Sequence, residues 1–116
     1  MASSELQAIV RFRFHDGDVE EFKRLSVQCM EIVRTQDTGT LQYDTYFNDD
    51  ESEAVVIERF RDSQALIEHG EHVAPITEPI IATASVSGEL LGELSPELRA
   101  KMTGDNPQLF TLYKAM

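Results

Sequence analysis

Residues 39–72, GTLQYDTYFNDDESEAVVIERFRDSQALIEHGEH, contain the signals of two strands, a turn and a helix start in close succession. Residues 40–48 alternate and are rich in threonine and aromatic side chains, which favours a strand. The polar run NDDES predicts a turn, and residues 53–61 alternate again, so 40–61 is predicted to form a β-hairpin. The capping residues of DSQALIEHGEHV then predict a short helix that follows directly, weakened at Gly70.

A strand and a helix are predicted before this segment. Residues 6–14, LQAIVRFRF, alternate and place an apolar set on one face. That set is Leu6, Ala8, Val10, Phe12 and Phe14. Apolar residues then recur at helical spacing, which predicts an amphipathic helix over residues 19–35 that ends at TQDTGT. Cys29, the single cysteine, lies on its apolar side, so it is interpreted as a small buried hydrophobe and no internal disulfide can form.

The segment after the hairpin and short helix gives weaker signals. Pro75 and Pro79 are predicted to interrupt helical structure, leaving room for a second short helix through Ala84. Residues 85–94 predict a fourth strand. The run SPELRAKMTG has a serine cap and a proline at the first helical position, which predicts a helix. Residues 108–115 predict a last strand.

The order of these elements predicts an α+β fold. A βαββαβ chain forms a ferredoxin-like two-layer sandwich, here with an extra C-terminal helix and strand, in a single domain over residues 1–116. The first and third strands are neighbours in that topology. The sheet face without helices then carries an apolar patch bordered by arginines: Ile9, Val55, Ile57, Arg11, Arg13, Arg59 and Arg61. Such a patch predicts a homodimer that packs two sheets face to face.

The charge composition excludes several classes of partner. The chain has 21 acidic and 10 basic side chains, for a net charge of −11. Such a surface repels phosphate backbones and anionic lipid, so we expect neither nucleic acid nor a membrane as a partner. The N-terminal run MASSELQ lacks the basic and apolar regions of a signal peptide, so a cytoplasmic protein is expected.

Glu58 is the chemically informative residue of the third strand. It is in register with Ala54, Val56 and Phe60, on the face predicted to pack under the helices. Burial without a cation raises the pKa of a carboxyl group, which makes it a usable base near neutral pH. The alternative interpretation is a structural carboxylate bonded to backbone amides, a tyrosine or an arginine.

His69 and His72 are three positions apart, so on a continuous helix they share a face. His69 is a candidate base or hydrogen-bond donor in a pocket, and a capping or surface role is the alternative. A metal site would need a third ligand such as Glu68, Glu71 or His15, and no HExxH pattern is present, so no metal is predicted. The chain also lacks a glycine-rich dinucleotide turn, a P-loop and a nucleophile elbow, so no cofactor is predicted.

Residues 39–72 also resemble the signature of antibiotic biosynthesis monooxygenase domains, a group that includes quinol monooxygenases. The shared pattern is a glycine, an aromatic-rich strand, an acidic turn, Val-x-x-Glu-x-aromatic, a helix with Ala-Leu, and a histidine. The residues at matching places are Gly39, Tyr43, Tyr46, Glu58, Phe60, Ala65, Leu66, His69 and His72.

The resemblance implies a ferredoxin-like fold that pairs into a dimeric α/β barrel. It also implies oxygenation of a small aromatic quinol- or phenol-like molecule without a prosthetic group, in a pocket between sheet and helices. Glu58 or His69 would deprotonate that molecule. The residues expected to contact it are Phe12, Tyr46, Phe60 and His72.

Other functions stay open beside this one. The chain has no tryptophan, which haem-degrading members use, so haem degradation is not expected. A non-catalytic dimeric module that binds a small hydrophobic ligand is one alternative, and an isomerase of the muconolactone type on the same fold is another. The sequence therefore leaves undecided whether the protein is an enzyme.

Overall fold

The computed structural model describes residues 4–116, so the first three residues of the MASSELQ run lie outside it. In chain order the elements are β1 (Leu6–Phe14), α1 (Val19–Gln36), β2 (Thr40–Phe47), β3 (Glu53–Phe60), α2 (Ser63–Ile81), β4 (Ala84–Leu91), α3 (Pro96–Lys101) and β5 (Gln108–Phe110). The predicted ferredoxin-like α+β order, with its additional helix and strand, is confirmed. None of the helices within residues 4–116 is both long enough and apolar enough to cross a membrane.

The five strands form one open sheet in the order β2-β3-β1-β4-β5. Strand β1 pairs antiparallel with both β3 and β4, so the predicted contact of the first and third strands is confirmed. Strand β5 pairs in parallel with β4 at one edge. It is only three residues long, so the last strand is shorter than the predicted 108–115.

Helix α2 is one continuous helix of 19 residues, so the predicted interruption at Pro75 and Pro79 is wrong. Each proline lacks an N–H and leaves one carbonyl of the preceding turn without its helical partner. Both prolines lie on the exposed side of α2, where water can bond these carbonyls. On the opposite side Val73 and Ile76 are buried, and their burial offsets the missing hydrogen bonds.

Helices α1 and α2 cover one face of the sheet, and the core lies between the two layers. The alternation of β1 and β3 points Leu6, Val56 and Phe60 into this layer, where each is buried. Phe22 of α1 is buried with them. Cys29 is also buried, which confirms its interpretation as a small hydrophobe in the core.

The opposite face of the sheet is open in the single chain. Ile9, Val55 and Ile57 lie there and are only partly buried. Arg11 pairs with Glu89 of β4 at 3.2 Å beside them. The apolar patch bordered by charge is therefore present as predicted.

Gly39 marks a close approach between the start of β2 and helix α2. A Cβ atom at this position would overlap the Cβ of Ala65. The Gly39 carbonyl also accepts a hydrogen bond from the Arg61 N–H at 2.8 Å, which holds the backbone in place. Residue 39 therefore has no room for a side chain unless α2 moves.

We expect Gly39→Ala to lower the free energy of unfolding by about 1–3 kcal/mol, because overpacking forces the backbone to shift. Urea unfolding measures this change. The double variant Gly39→Ala with Ala65→Gly should recover part of the loss, since it removes the overlapping methyl group but places a glycine in α2, which itself costs about 1 kcal/mol. A single variant as stable as the wild type would show that the approach is not close.

Candidate functional site

Glu58 lies near the middle of β3, on the face covered by the helices. Its cross-strand partners are Ala8 of β1 and Tyr43 of β2. The residue is only 8% exposed, so the predicted burial is confirmed. Burial, and after it the charge of the Asp37 carboxylate, raises the pKa of Glu58 to about 8. A carboxyl group with that pKa can exchange protons near neutral pH.

Helix α2 places His69 beside this carboxyl group. The Nε2 atom of His69 is 3.7 Å from Oε1 of Glu58, and no other basic group within residues 4–116 pairs with Glu58. The imidazole lies between two aromatic rings, with centroid distances of 5.1 Å to Phe60 and 5.7 Å to Tyr43. Glu58 and His69 therefore form a pair enclosed by apolar walls.

Asp37 completes the cluster, although it is not among the residues predicted from the sequence. It follows α1 directly, and its side chain is 1% exposed. Its Oδ2 lies 2.7 Å from Nδ1 of His69, and its Oδ1 lies 2.6 Å from Nδ1 of His72. The Thr40 hydroxyl donates a further hydrogen bond to Oδ2 at 2.7 Å. One carboxylate thus binds both histidines.

The hydrogen bonds to Asp37 determine its charge. Burial by itself would raise the pKa of Asp37, but the bonds from His72, His69 and Thr40 outweigh burial and lower that pKa. Asp37 is therefore ionised at neutral pH and can only accept hydrogen bonds. Each imidazole must then present an N–H at Nδ1. The Nε2 atom of a neutral His69, which faces Glu58, consequently carries no proton.

Tyr43 and Cys29 form a side wall of the cluster. The tyrosine hydroxyl lies 3.3 Å from the Cys29 Sγ. Burial, with a smaller contribution from the charge of Glu58, raises the pKa of Tyr43, and burial likewise raises the pKa of the Cys29 thiol. Both groups therefore keep their protons at neutral pH, and Cys29 is not activated as a nucleophile.

The Glu58 carboxyl group is enclosed but not sealed. It accepts no hydrogen bond from residues 4–116, and across the same residues every fully buried side-chain oxygen has a partner. Both Glu58 oxygens therefore retain some accessible surface, and the side chain is 11% exposed. The alternative interpretation was a structural carboxylate bonded to amides, a tyrosine or an arginine. Residues 4–116 do not give Glu58 any of these hydrogen bonds.

Two clefts within residues 4–116 lie away from Glu58. One, of about 700 Å³, lies where β1 and β4 meet the C-terminal tail and is lined by residues that include Leu6, Phe110 and Tyr113. The other, of about 280 Å³, lies over β1 and β4 near Arg11 and Ser87. Neither cleft is lined by Glu58 or His69.

The structure brings together most of the predicted site residues. Glu58, Phe60 and His69 form one cluster. His72 joins this cluster through Asp37 and not through Glu58. Within the described part of the chain, no three His, Cys, Asp or Glu side chains are arranged to hold a metal ion.

Two of the predicted substrate contacts lie elsewhere. Phe12 is on the helix-covered face but packs against Phe22, with ring centroids 4.9 Å apart, in a different part of the core. Tyr46 pairs with Val55, so it lies on the open face of the sheet, and it is 55% exposed. Tyr43, and not Tyr46, is the tyrosine beside Glu58.

Comparisons with known proteins add a family and a fold. A family model described as antibiotic biosynthesis monooxygenase matches residues 6–74, more than half of the chain, and this range includes the whole Asp37–Glu58–His69–His72 cluster. No curated protein sequence matches the chain.

Several solved structures share the fold. MupZ from Pseudomonas fluorescens aligns with a TM-score of 0.80 at 23% identity, covering 100% of this chain and 90% of that chain. Rv0793 from Mycobacterium tuberculosis aligns with a TM-score of 0.70 at 25% identity, covering 79% and 97%. SnoaB from Streptomyces nogalater, described as a cofactor-independent oxygenase, aligns with a TM-score of 0.68 at 18% identity, covering 76% and 91%. The alignment with MupZ extends over the C-terminal helix and strand.

Proposed function

Because this chain belongs to the antibiotic biosynthesis monooxygenase family, we propose that it is a cofactor-independent monooxygenase of a small quinol- or phenol-like substrate. The observation that carries this proposal is the buried Glu58–His69 pair, 3.7 Å apart, with Asp37 behind the imidazole. A base of raised pKa in a site from which water is largely excluded can deprotonate a phenol. Glu58 supplies the base, and the burial of the pair excludes most water.

The proposed reaction uses dioxygen as the oxidant. Ionised Glu58 removes the hydroxyl proton, and the phenolate passes one electron to dioxygen. The resulting substrate radical and superoxide combine at a ring carbon, which forms a C–O bond and a peroxide. Loss of the proton from that carbon and cleavage of the O–O bond give a carbonyl group. The departing oxygen takes up the two protons released from the hydroxyl group and the ring carbon and leaves as water. One oxygen atom enters the substrate, the other leaves as water, and the substrate supplies all the electrons.

Glu58 and His69 divide the proton transfers of this reaction. Glu58 accepts the hydroxyl proton, and the unprotonated Nε2 of His69 can take it over, which restores the carboxylate for the second deprotonation. The Asp37 carboxylate stabilises the imidazolium that then forms. The rings of Tyr43 and Phe60 pack against His69 and keep the surroundings of the pair apolar.

Isotopically labelled dioxygen tests the reaction class. The purified protein, without added cofactor, is incubated with a panel of hydroquinones and phenols, and oxygen uptake and product mass are measured together. We expect one labelled atom in each product molecule and one molecule of dioxygen consumed. Product formed without oxygen uptake would contradict the oxygenase and favour an isomerase, since the same pair can move a proton between two carbon atoms.

The position of the larger cleft favours a second candidate function, ligand binding without catalysis. This cleft of about 700 Å³ has the size of a small-molecule site and includes Leu6, Leu91, Phe110 and Leu112 in its walls. A small hydrophobic ligand bound there would not contact Glu58. Binding that Glu58→Gln leaves unchanged, with no turnover of any compound in the panel, would identify this function.

We further propose that two copies of the chain pair through the open sheet face. Ile9, Val55 and Ile57 supply an apolar centre on that face, and charged residues such as Arg11 and Glu89 supply a polar rim. Interfaces between copies typically have this composition. Pairing would bury side chains that a single chain leaves partly exposed.

We expect Val55→Asp to convert a dimer into a monomer, because it places an unpaired charge at the centre of the interface. Light scattering after size exclusion at micromolar concentration measures the mass. Val27→Asp is the matched control, since Val27 lies on α1 and is 70% exposed. The proposal fails if the wild type is a monomer or if both variants are dimers.

A further inference from the structure

Asp37 makes more contacts than proton transfer between Glu58 and His69 requires. Its two oxygens bind two different imidazoles, at 2.7 Å to His69 and 2.6 Å to His72. The Thr40 hydroxyl adds a third hydrogen bond. Three partners from β2 and α2 thus fix a carboxylate that is itself 1% exposed.

We propose that Asp37 is a positioning residue that sets the tautomer and ring orientation of His69, and that His72 and Thr40 lock Asp37 in place. The effect of this arrangement on turnover rests on the proposed function. The position of the hydrogen on the His69 ring in the resting protein does not depend on that function, and it can be measured without a substrate.

The tautomer follows from the chemistry of the donors and acceptors. An ionised carboxylate cannot donate, so it accepts the Nδ1 hydrogen of His69 and keeps it there. The opposite nitrogen, Nε2, is then a free acceptor 3.7 Å from Oε1 of Glu58. In the other tautomer Nε2 would already carry a hydrogen and could not take a proton from Glu58. A carboxylate behind a histidine controls proton transfer in this way in hydrolase triads.

His72 and Thr40 prevent the carboxylate from turning. A carboxylate held by one hydrogen bond can rotate and exchange its oxygens, which would release His69. Here Oδ1 is occupied by His72 and Oδ2 by both His69 and Thr40, so the plane of the group is fixed by contacts on both sides. His72 is the more exposed imidazole, 30% against 8% for His69, which suits an anchor better than a reacting group.

The experiment combines Asp37→Asn with NMR of the histidine ring nitrogens. Asparagine has a similar shape, but it carries no charge and presents one oxygen and one NH2 group. The electrostatic preference for a hydrogen on Nδ1 is therefore lost at both imidazoles, and the NH2 group favours a bare Nδ1 in the ring that it faces. In the resting wild type we expect His69 to carry its hydrogen on Nδ1, with Nε2 bare. In Asp37→Asn we expect the hydrogen on Nε2 or divided between the two nitrogens.

Two further variants separate positioning from general damage. Thr40→Val removes one hydrogen bond of Asp37 but keeps both imidazoles, so His69 should retain its tautomer. Glu71→Gln, an exposed carboxylate-to-amide change on α2, should alter nothing. With a substrate that is turned over, Asp37→Asn should lower kcat by about 10²-fold while KM changes by less than about threefold.

Each outcome decides the proposal. An Asp37→Asn protein that keeps the hydrogen of His69 on Nδ1, or that loses activity only through KM, would overturn it. If that variant fails to fold, the wild-type spectrum decides, because a hydrogen on Nε2 of His69 excludes the role given to Asp37. If no phenol is oxygenated, the proposed function fails, while the tautomer in the resting protein still tests the role of Asp37.

Discussion

Glu58→Gln should lower the rate of oxygen uptake with a turned-over phenol by about 10³-fold, the usual contribution of a positioned general base. Glutamine has nearly the same size as glutamate, so the walls formed by Tyr43, Phe60 and His69 remain packed. An amide cannot accept the hydroxyl proton, however, and the phenolate that reacts with dioxygen would form only by slow exchange with water. The measurement is the initial rate of oxygen uptake at saturating substrate.

Glu53→Gln provides the matched control for this result. Glu53 begins the same strand but is exposed, so its amide variant should keep the wild-type rate. A Glu58→Gln protein that retains more than about a third of the wild-type rate would remove Glu58 as the base and leave His69 as the remaining candidate.

The second large effect concerns folding stability, which Glu58 should make dependent on pH. The pKa of this carboxyl group is raised from 4.5 to about 8 in the folded protein. Below the lower value the group is protonated in both the folded and the unfolded chain. Between the two values the unfolded chain releases its proton and the folded chain keeps it. Folding stability therefore falls as pH rises, by about 1.4 kcal/mol per pH unit and by about 5 kcal/mol in total.

Urea unfolding of the wild type and of Glu58→Gln, from about pH 5 to about pH 9, isolates this contribution. The amide cannot ionise, so other groups titrate alike in both proteins and cancel in the difference. We expect the variant to gain stability relative to the wild type as pH rises through this range. Parallel stability curves would mean that Glu58 ionises in the folded protein as readily as in the unfolded chain.

A stability cost of this kind favours function over structure for Glu58. A structural carboxylate gains hydrogen bonds that compensate its burial, but Glu58 accepts none from residues 4–116. Asp37, on the other side of His69, has the opposite pKa shift, because three hydrogen bonds keep it ionised. Two carboxyl groups with opposite pKa shifts on either side of one imidazole are the arrangement that acid–base chemistry uses.

The order of strands and helices could be predicted because it depends on local patterns. Alternation in residues 6–14 and 53–61 placed the apolar face, and with it Glu58, on the correct side of the sheet. The continuity of α2 could not be predicted, because a proline inside a helix loses a hydrogen bond and crowds the carbonyl four residues earlier, and here the burial of the opposite face of α2 outweighs this cost. Both prolines of α2 face solvent, which only the packed structure shows.

The candidate site was predictable in part for the same reason. Glu58 and His69 stand out locally, one as a charge in an apolar strand and the other on a helix face. Asp37 does not, because its partners His69 and His72 lie 32 and 35 positions further along the chain. The available signal was a short acid in the helix-ending run TQDTGT, two residues before Gly39. Choosing Tyr43 over Tyr46 required the register that pairs Tyr43 with Glu58.

The pH dependence of turnover tests the central claim, that the Glu58 carboxylate is the base, most directly. The measurement is kcat/KM for oxygen uptake from about pH 6 to about pH 9, with a phenol whose own hydroxyl does not titrate in that range. We expect kcat/KM to rise about tenfold per pH unit and to level off above about 8, the pKa of Glu58, because only the ionised carboxyl group accepts a proton. A profile that is flat across this range would contradict the claim.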